Sequence, residues 1–394
     1  MMTFFQRLSM HHYGMHARIF LFILFLQFSI LLLLGIFAFN KSHQNNSMHH
    51  FLFPITKNIS FPFIDKMKTN GISNPIGYEL GIPSLSWIIR NAPLNSKLVS
   101  SRVEISEDES FNKILSDSGP KKDLSSIDYR VNFKLLPRKR YFWRVTAELT
   151  NITIKSPSAY FETSKLDEPW QSNWISPKNN KNPPIFRKQF TLKENHENAR
   201  IYITGLGLYE LYINGKRVSN ELFTPFCNSY EKWIQYQTFD VTDFIQKGEN
   251  VIGVIIGDGW AKGRWGFAGT PADMTLKSEE RGFPREISTS KYLLNVEMHI
   301  KTEDNSEVVI VSDETWKTSK SEILFTNIYD GEVIDSNLIQ EGWSNIDFDD
   351  SNWESVQIAH HKSKNENSQN YNDNENTVKL PYFHLVCQIS FKFL

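Results

Sequence analysis

Residues Ala199 to Trp260 constrain the fold most, because a strand period, a diagnostic turn and a fully apolar strand follow one another there. Ile201 and Ile203 alternate with Tyr202 and Thr204, Gly205 and Gly207 break the run, and Leu208 to Ile213 resumes β-branched and aromatic character. That is strand, turn, strand. Asn214-Gly215 tolerates positive φ at both central positions of a type I′ turn, so Lys216 to Val218 is expected to fold back as a tight hairpin. Val251 to Ile256 is apolar except at Gly253, the composition of a short strand covered on both faces. These signals predict an all-β chain. Gly205-Leu-Gly207 leads into a strand rather than a helix and is not a dinucleotide-binding fingerprint.

The amino-terminal flank carries a different signal. Ile19 to Phe39 is interrupted only by Gln27, Ser29, Gly35 and Ala38, long enough to cross a bilayer as one helix. Arg7 and Arg18 precede it and Lys41 follows, a bias that puts residues 1–18 in the cytoplasm and predicts a single-pass membrane protein anchored through residues 19–39, its bulk lumenal or extracellular. A cleaved signal peptide, leaving a secreted protein, is the competing reading. Sequons at Asn45, Asn58 and Asn151 lie on the non-cytoplasmic side in either case. Cys227 and Cys387 allow at most one disulfide, and free thiols are the favoured reading. Lys and Arg total 43 against 44 Asp and Glu, so charge supplies no argument for a nucleic-acid partner.

Residues 40–70, rich in Asn, Ser, His, Phe and Pro, read as a stalk. Residues 71–164 alternate in short runs such as Arg102 to Ile105 and Tyr141 to Val145, and about seven strands fit a compact sandwich. A second sandwich is expected over residues 165–358, opened by Trp170 and Trp174. In the disordered or atypical tail, residues 359–394, His360 to Thr377 is too polar to order itself, and Val378 to Leu394, apolar but outside the family pattern, reads as a truncated or mispredicted end or else as a strand without a sheet.

The succession from Gly205 through Asn214-Gly215-Lys-Arg-Val, Tyr-Gln-Thr-Phe-Asp240-Val-Thr-Asp-Phe, Gly248-Glu-Asn-Val-Ile-Gly-Val and Gly257-Asp-Gly-Trp260 resembles the N-terminal β-sandwich module of bacterial-type α-L-rhamnosidases. Upstream, Asn74-Pro-Ile-Gly77, Leu85-Ser-Trp87, Tyr141 to Val145, Phe161-Glu-Thr163 and Trp170 to Ile175 are similar to that family's fibronectin-III-like leader. Downstream, Ser312 to Lys317, Tyr329-Asp-Gly-Glu332, Asp335 and Phe348 to Trp353 are similar to the closing half of the sandwich, so the resemblance runs from about Asn74 to about Val356. It implies a fibronectin-III-like sandwich followed by a jelly-roll-like one. It also implies kinship with inverting glycoside hydrolases, in which one carboxylic acid protonates the leaving oxygen and a second carboxylate activates water.

In that family those acids belong to an (α/α)₆ barrel, and no helical periodicity follows Val356. The family's Arg-Asp-x-Glu-type segment followed by Gly-Trp is not found, and Arg281 to Glu286 matches it only in composition. No catalytic residue is therefore assigned. The acidic pairs Glu279-Glu280 and Asp349-Asp350 read as solvated loop.

Carbohydrate binding has better candidates. Gly257 to Gly269 places Asp258, Trp260, Arg264 and Trp265 among five glycines after an apolar strand. Indole can stack on the apolar face of a pyranose, while a carboxylate and a guanidinium satisfy vicinal hydroxyls. In the competing reading Trp260 or Trp265 caps the sandwich core and the glycines only shape a connection. Calcium is the one cofactor to consider, with Asp347, Asp349 and Asp350 as oxygen donors, against a plain turn before Trp353. The expected function is that of a non-catalytic N-terminal part of an α-L-rhamnosidase-like protein that binds rhamnose-containing glycans. A fragment of an active hydrolase and an adhesion module without sugar affinity are the alternatives.

Overall fold

The computed structural model describes residues 61–78, 80–179, 182–228, 230, 233–262, 291–361, 378–380 and 384–387. The first sandwich contains β1 (Phe63–Thr69), β2 (Ile76–Tyr78), β3 (Ser84–Arg90), β4 (Leu98–Ser106), β5 (Ile114–Asp117), β6 (Tyr129–Arg130), β7 (Arg140–Leu149), β8 (Ile152–Lys155) and β9 (Ala159–Thr163). One sheet runs β1-β3-β6 and the other β2-β9-β7-β4-β5, with β8 paired to β7. Period-two alternation makes the core: Tyr141, Trp143, Val145 and Ala147 of β7 point inward with Val103 and Ile105 of β4, against Leu85 and Trp87 of β3. The sandwich thus begins at Phe63 rather than residue 71, because Ile64 completes this core and β1 pairs with β3.

The second sandwich contains β10 (Trp174–Ser176), β11 (Pro184–Leu192), β12 (His196–Leu206), β13 (Leu208–Ile213), β14 (Lys216–Arg217), β15 (Trp233–Asp240), β16 (Gly248–Gly257), β17 (Leu293–Thr302), β18 (Glu307–Val311) and β19 (Lys317–Lys320). It continues with β20 (Ile323–Asn327), β21 (Gly331–Ile334), β22 (Glu354–Ser355), β23 (Gln357–His361), β24 (Val378–Leu380) and β25 (His384–Cys387). The larger sheet runs β24-β23-β10-β17-β12-β15-β25, and the smaller β14-β13-β16-β11-β19-β22. Ile201, Ile203, Val296 and Met298 of the first meet Ile252, Val254, Ile256 and Phe186 of the second in one core. Asn214 and Gly215 take φ of 50° and 79°, and Lys216 pairs back onto Ile213 as the Asn-Gly signal predicts. In the tail, β24 and β25 lie parallel to β23 and β15, paired with the sheet where an unpaired strand was expected. Residues 362–377 lie outside the described residues.

The membrane expectation is corrected. Among the described residues no helix is long and apolar enough to cross a bilayer, and a single-pass membrane location is not supported. The α-helix there, α1 (Gly259–Lys262), has four residues, whereas a span needs about 20. Residues 19–39, on which that expectation rested, lie outside the described residues.

From Pro62 onward the chain is one compact unit, and its two sandwiches meet through buried charge. Glu162 of β9 accepts hydrogen bonds from Arg200 Nε and Nη2 of β12 at 2.6 and 3.1 Å, and from Arg140 at 2.9 Å. Arg138 donates to Glu168 at 2.7 Å and to Glu307 of β18 at 2.7 Å. Lys165, at the link between the sandwiches, is buried against Glu297 of β17, whose carboxylate also accepts from Gln171 N at 2.7 Å and lies 2.6 Å from His299 Nε2. Charges withdrawn from water are tolerated when paired and hydrogen-bonded in this way. Beside them β2 packs on β15 without clearance: a Cβ on Gly77, at φ +70°, would lie 2.1 Å from Thr238 Oγ1.

Gly77→Ala is therefore expected to cost about 2–4 kcal/mol, from left-handed strain and overpacking together, read as a fall in the urea midpoint. An unchanged midpoint would show that β2 does not seat on β15. Burial disfavours the Glu297 anion, but the His299 and Lys165 hydrogen bonds and the Gln171 N–H outweigh it and hold the carboxyl at about 2 against 4.5 for the free side chain. A carboxyl depressed on folding contributes stability that is present above pH 4.5 and is lost as the pH falls toward 2. On going from neutral pH to pH 3 the protein should lose about 2 kcal/mol through this group, a loss missing from the pH dependence of Glu297→Gln. Identical pH profiles for the two proteins would refute it.

Candidate functional site

Strand β16 ends at Gly257, and the chain turns through Asp258 and Gly259 into α1. Glycine is required at the second position: φ is +53°, and a Cβ would stand 2.6 Å from Leu208 Cγ and 3.1 Å from Leu208 N. Gly207, at φ +134°, lets β13 start against the Gly257 carbonyl, 2.3 Å from where its Cβ would be. These close approaches draw the ends of β13 and β16 together.

Asp258 is committed to its own fold. The Tyr292 hydroxyl donates to Asp258 Oδ1, and Lys262 Nζ lies 3.6 Å from the same oxygen and 3.8 Å from the centre of the Tyr292 ring. Burial raises the Tyr292 hydroxyl, reinforced by the carboxylate, and burial lowers the Lys262 ammonium while Asp258 opposes that shift. Trp260 is half-buried on a cluster of Trp174, Leu206, Tyr230, Ile234 and Leu293, and meets Phe223 edge-on at 6.3 Å. The structure thus gathers Asp258 and Trp260 into one turn, each in contact with the protein interior. Arg264 and Trp265 lie outside the described residues.

An open cleft of about 270 Å³ adjoins this turn. It is lined by Leu208, Phe223, Gly257 and Gly259 and by Thr326, Asn327, Ile328, Gly331 and Glu332 of the β20–β21 ribbon. A Cβ on Gly257 would meet Thr326 Cγ2 at 2.9 Å, so the bare backbone allows the ribbon to approach. The ribbon is a separate two-stranded sheet, a form with little stability of its own. Asn327 is buried at its tip and accepts from Tyr329 N at 2.9 Å, and Gly331 takes φ +86°. Thr326 and Glu332 are direct cross-strand partners and so share one face. Phe223 is 57% exposed and sits at φ +61°, a backbone state that costs a non-glycine residue about 1–3 kcal/mol.

Phe223, Thr326 and Glu332 were not candidates from sequence. Tyr329-Asp-Gly-Glu332 was visible as a motif, and its Asp-Gly turn is the signal that could have aimed Glu332 at a cleft. The acidic stretch before Trp353 has other employment. Asp350 pairs with buried Arg187 and with Lys317, and Asp349 accepts from Ser351 N at 2.9 Å, so both carboxylates already have partners within the fold. Among the described residues no group of His, Cys, Asp and Glu could hold a metal ion. Cys227 is a free, exposed thiol, and Glu279 and Glu280 lie outside the described residues.

Comparison with known proteins gives two family matches. Residues 194–377 match the description alpha-L-rhamnosidase N-terminal domain, and residues 64–167 match a Rha78A-like, N-terminal immunoglobulin domain. An α-L-rhamnosidase of Formosa agariphila is 31% identical over 314 residues, which are 73% of this chain and 32% of that protein. The solved α-L-rhamnosidase from Dictyoglumus thermophilum aligns with a TM-score of 0.64 at 30% identity, over 77% of this chain and 34% of its own. An α-L-rhamnosidase of Streptomyces avermitilis, solved in complex with L-rhamnose, shares the fold with a TM-score of 0.64 at 16% identity, over 76% of this chain and 45% of its own. The chain spans about a third of the length of the first two relatives.

The contacts of Asp258 predict that Asp258→Ala, which strips a buried hydroxyl and a half-buried ammonium of their acceptor, costs about 1–3 kcal/mol in thermal or urea unfolding. Asp258→Asn keeps an acceptor for Tyr292 and should lose less. Equal stability of all three proteins would remove the structural role.

Proposed function

Because the chain belongs to the α-L-rhamnosidase family, whose N-terminal modules it carries, we propose that it serves as a non-catalytic accessory part that binds rhamnose-containing carbohydrate through its second, jelly-roll-like sandwich. The supporting observation is the cleft beside the Gly257–Lys262 turn, whose lining includes the exposed residues Phe223 and Glu332 together with glycine backbone. Pyranoses ask for that combination: an aromatic surface under the C–H face and directional acceptors for the hydroxyls. Of the residues proposed from sequence, Trp260 meets Phe223 edge-on and Asp258 fixes the turn, while Arg264 and Trp265 belong to the stretch that follows it.

A second reading is favoured by the threefold greater length of the relatives: the same modules preceding a hydrolytic domain that cleaves terminal α-L-rhamnose. Catalytic carboxylates would then lie outside this chain, and its own role would still be to hold carbohydrate.

Titration calorimetry of the full chain against L-rhamnose, with and without calcium, tests the binding reading. Saturable heat at millimolar sugar or below is expected, unchanged by calcium since Asp350 is already paired with Arg187 and Lys317. Absence of heat in both conditions would leave only an adhesion or scaffold role.

A further inference from the structure

Phe223 lines the cleft from the start of a tight turn, in which its carbonyl accepts from Phe226 N at 2.6 Å. Its backbone is left-handed, the residue is 57% exposed, and Trp260 meets it edge-on. Left-handed non-glycine residues recur at ligand sites, and exposure of the side chain adds to that signal at Phe223. Leu222 beside it is 60% exposed, so the segment as a whole holds apolar surface in water. Thr326 and Glu332 also line the cleft, a hydroxyl and a carboxylate on one face of the ribbon. Between them the floor is backbone, since side chains at Gly257 or Gly259 would run into Thr326 or Leu208.

We infer that the space between Phe223 and Glu332 seats a single pyranose ring, a terminal rhamnose unit, with its C–H face on Phe223 and vicinal hydroxyls hydrogen-bonded to Glu332 and Thr326. This rests on the carbohydrate reading above and adds the subsite and its specificity-determining residues. A volume of about 270 Å³ suits one ring, because pockets for larger organic ligands start at roughly 300 Å³. An ionised carboxylate accepts two adjacent hydroxyls at once, and such charge-assisted bonds are the stronger kind. Stacking needs an accessible ring, and Phe223 is 57% exposed.

Two substitutions in the full chain test the inference by calorimetry with L-rhamnose and by thermal unfolding. Phe223→Gly takes the left-handed backbone without strain. Its melting temperature is expected to stay level or rise while rhamnose affinity drops at least tenfold. Glu332→Gln, on the exposed ribbon, should also lose about tenfold in affinity with an unchanged melting temperature. A fall in melting temperature for Phe223→Gly would assign Phe223 a structural role and overturn it as the platform, and Glu332→Gln then decides the cleft. Wild-type affinity in both variants overturns the subsite and leaves the carbohydrate reading standing. No rhamnose binding by the unmodified chain overturns both.

Discussion

The buried pair of Lys165 and Glu297 is the interaction on which the arrangement of the two sandwiches depends. Both side chains are nearly or completely excluded from water, and the pair sits where the chain passes from one sandwich to the next. Desolvating two charges is expensive, and the return comes only from geometry that satisfies every remaining donor and acceptor. Here Gln171 N, His299 and Glu168 complete the shell, with Trp170 and Tyr202 within cation–π reach of the ammonium. An apolar contact would tolerate sliding, whereas these bonds are directional, and Glu162 with Arg200 adds a second anchor on the same sheet. The outward side of β12 and β17 is thereby covered, at Arg200 by Glu162 of the first sandwich and at Asn295 and Glu297 by the linking segment. That leaves strand ends and loops, rather than a sheet face, for binding.

The smaller sheet solves its exposure differently. Gly253 removes a side chain from the outer side of β16 so that the Trp343 ring can approach, 2.5 Å from where a Cβ would be. The loop that carries Trp343 is held by Arg187, which is fully buried and donates to Trp343 O at 3.1 Å and Asn345 O at 3.0 Å while pairing with Asp350. Removing the guanidinium would strand several carbonyls and one carboxylate at once. What looks in sequence like a loose acidic turn is therefore part of the cover of the core.

Strands and the Asn-Gly hairpin were legible because they depend on neighbours in sequence: alternation shows which side is buried, and Asn214-Gly215 meets the φ requirement of its turn. The junction was not legible, since Lys165 and Glu297 find each other across 132 positions and charged residues read by default as solvated. Asp258 and Trp260 were located but not their contacts, because Tyr292 and Phe223, which determine those contacts, belong to other segments. Phe223 itself gave no signal. Exposure and left-handed φ belong to the folded chain, and a phenylalanine beside Thr224-Pro225 carries no pattern that separates an exposed residue from a core residue.

Rigid seating of the two sandwiches bears on what a small binding cleft could accomplish. One monosaccharide ring on one aromatic surface yields modest affinity, because few atoms are engaged and ordering costs are subtracted from each contact. Such a site gains value when linked to a second one, and the gain depends on effective concentration, which is lost when geometry forbids joint engagement. A module held by directional ion pairs keeps its cleft at a constant angle to its neighbour, whereas a flexible tether would spread it over many. The buried charges at Lys165, Glu297, Glu162 and Arg200 thus serve the proposed carbohydrate reading indirectly, by making orientation a property of the fold.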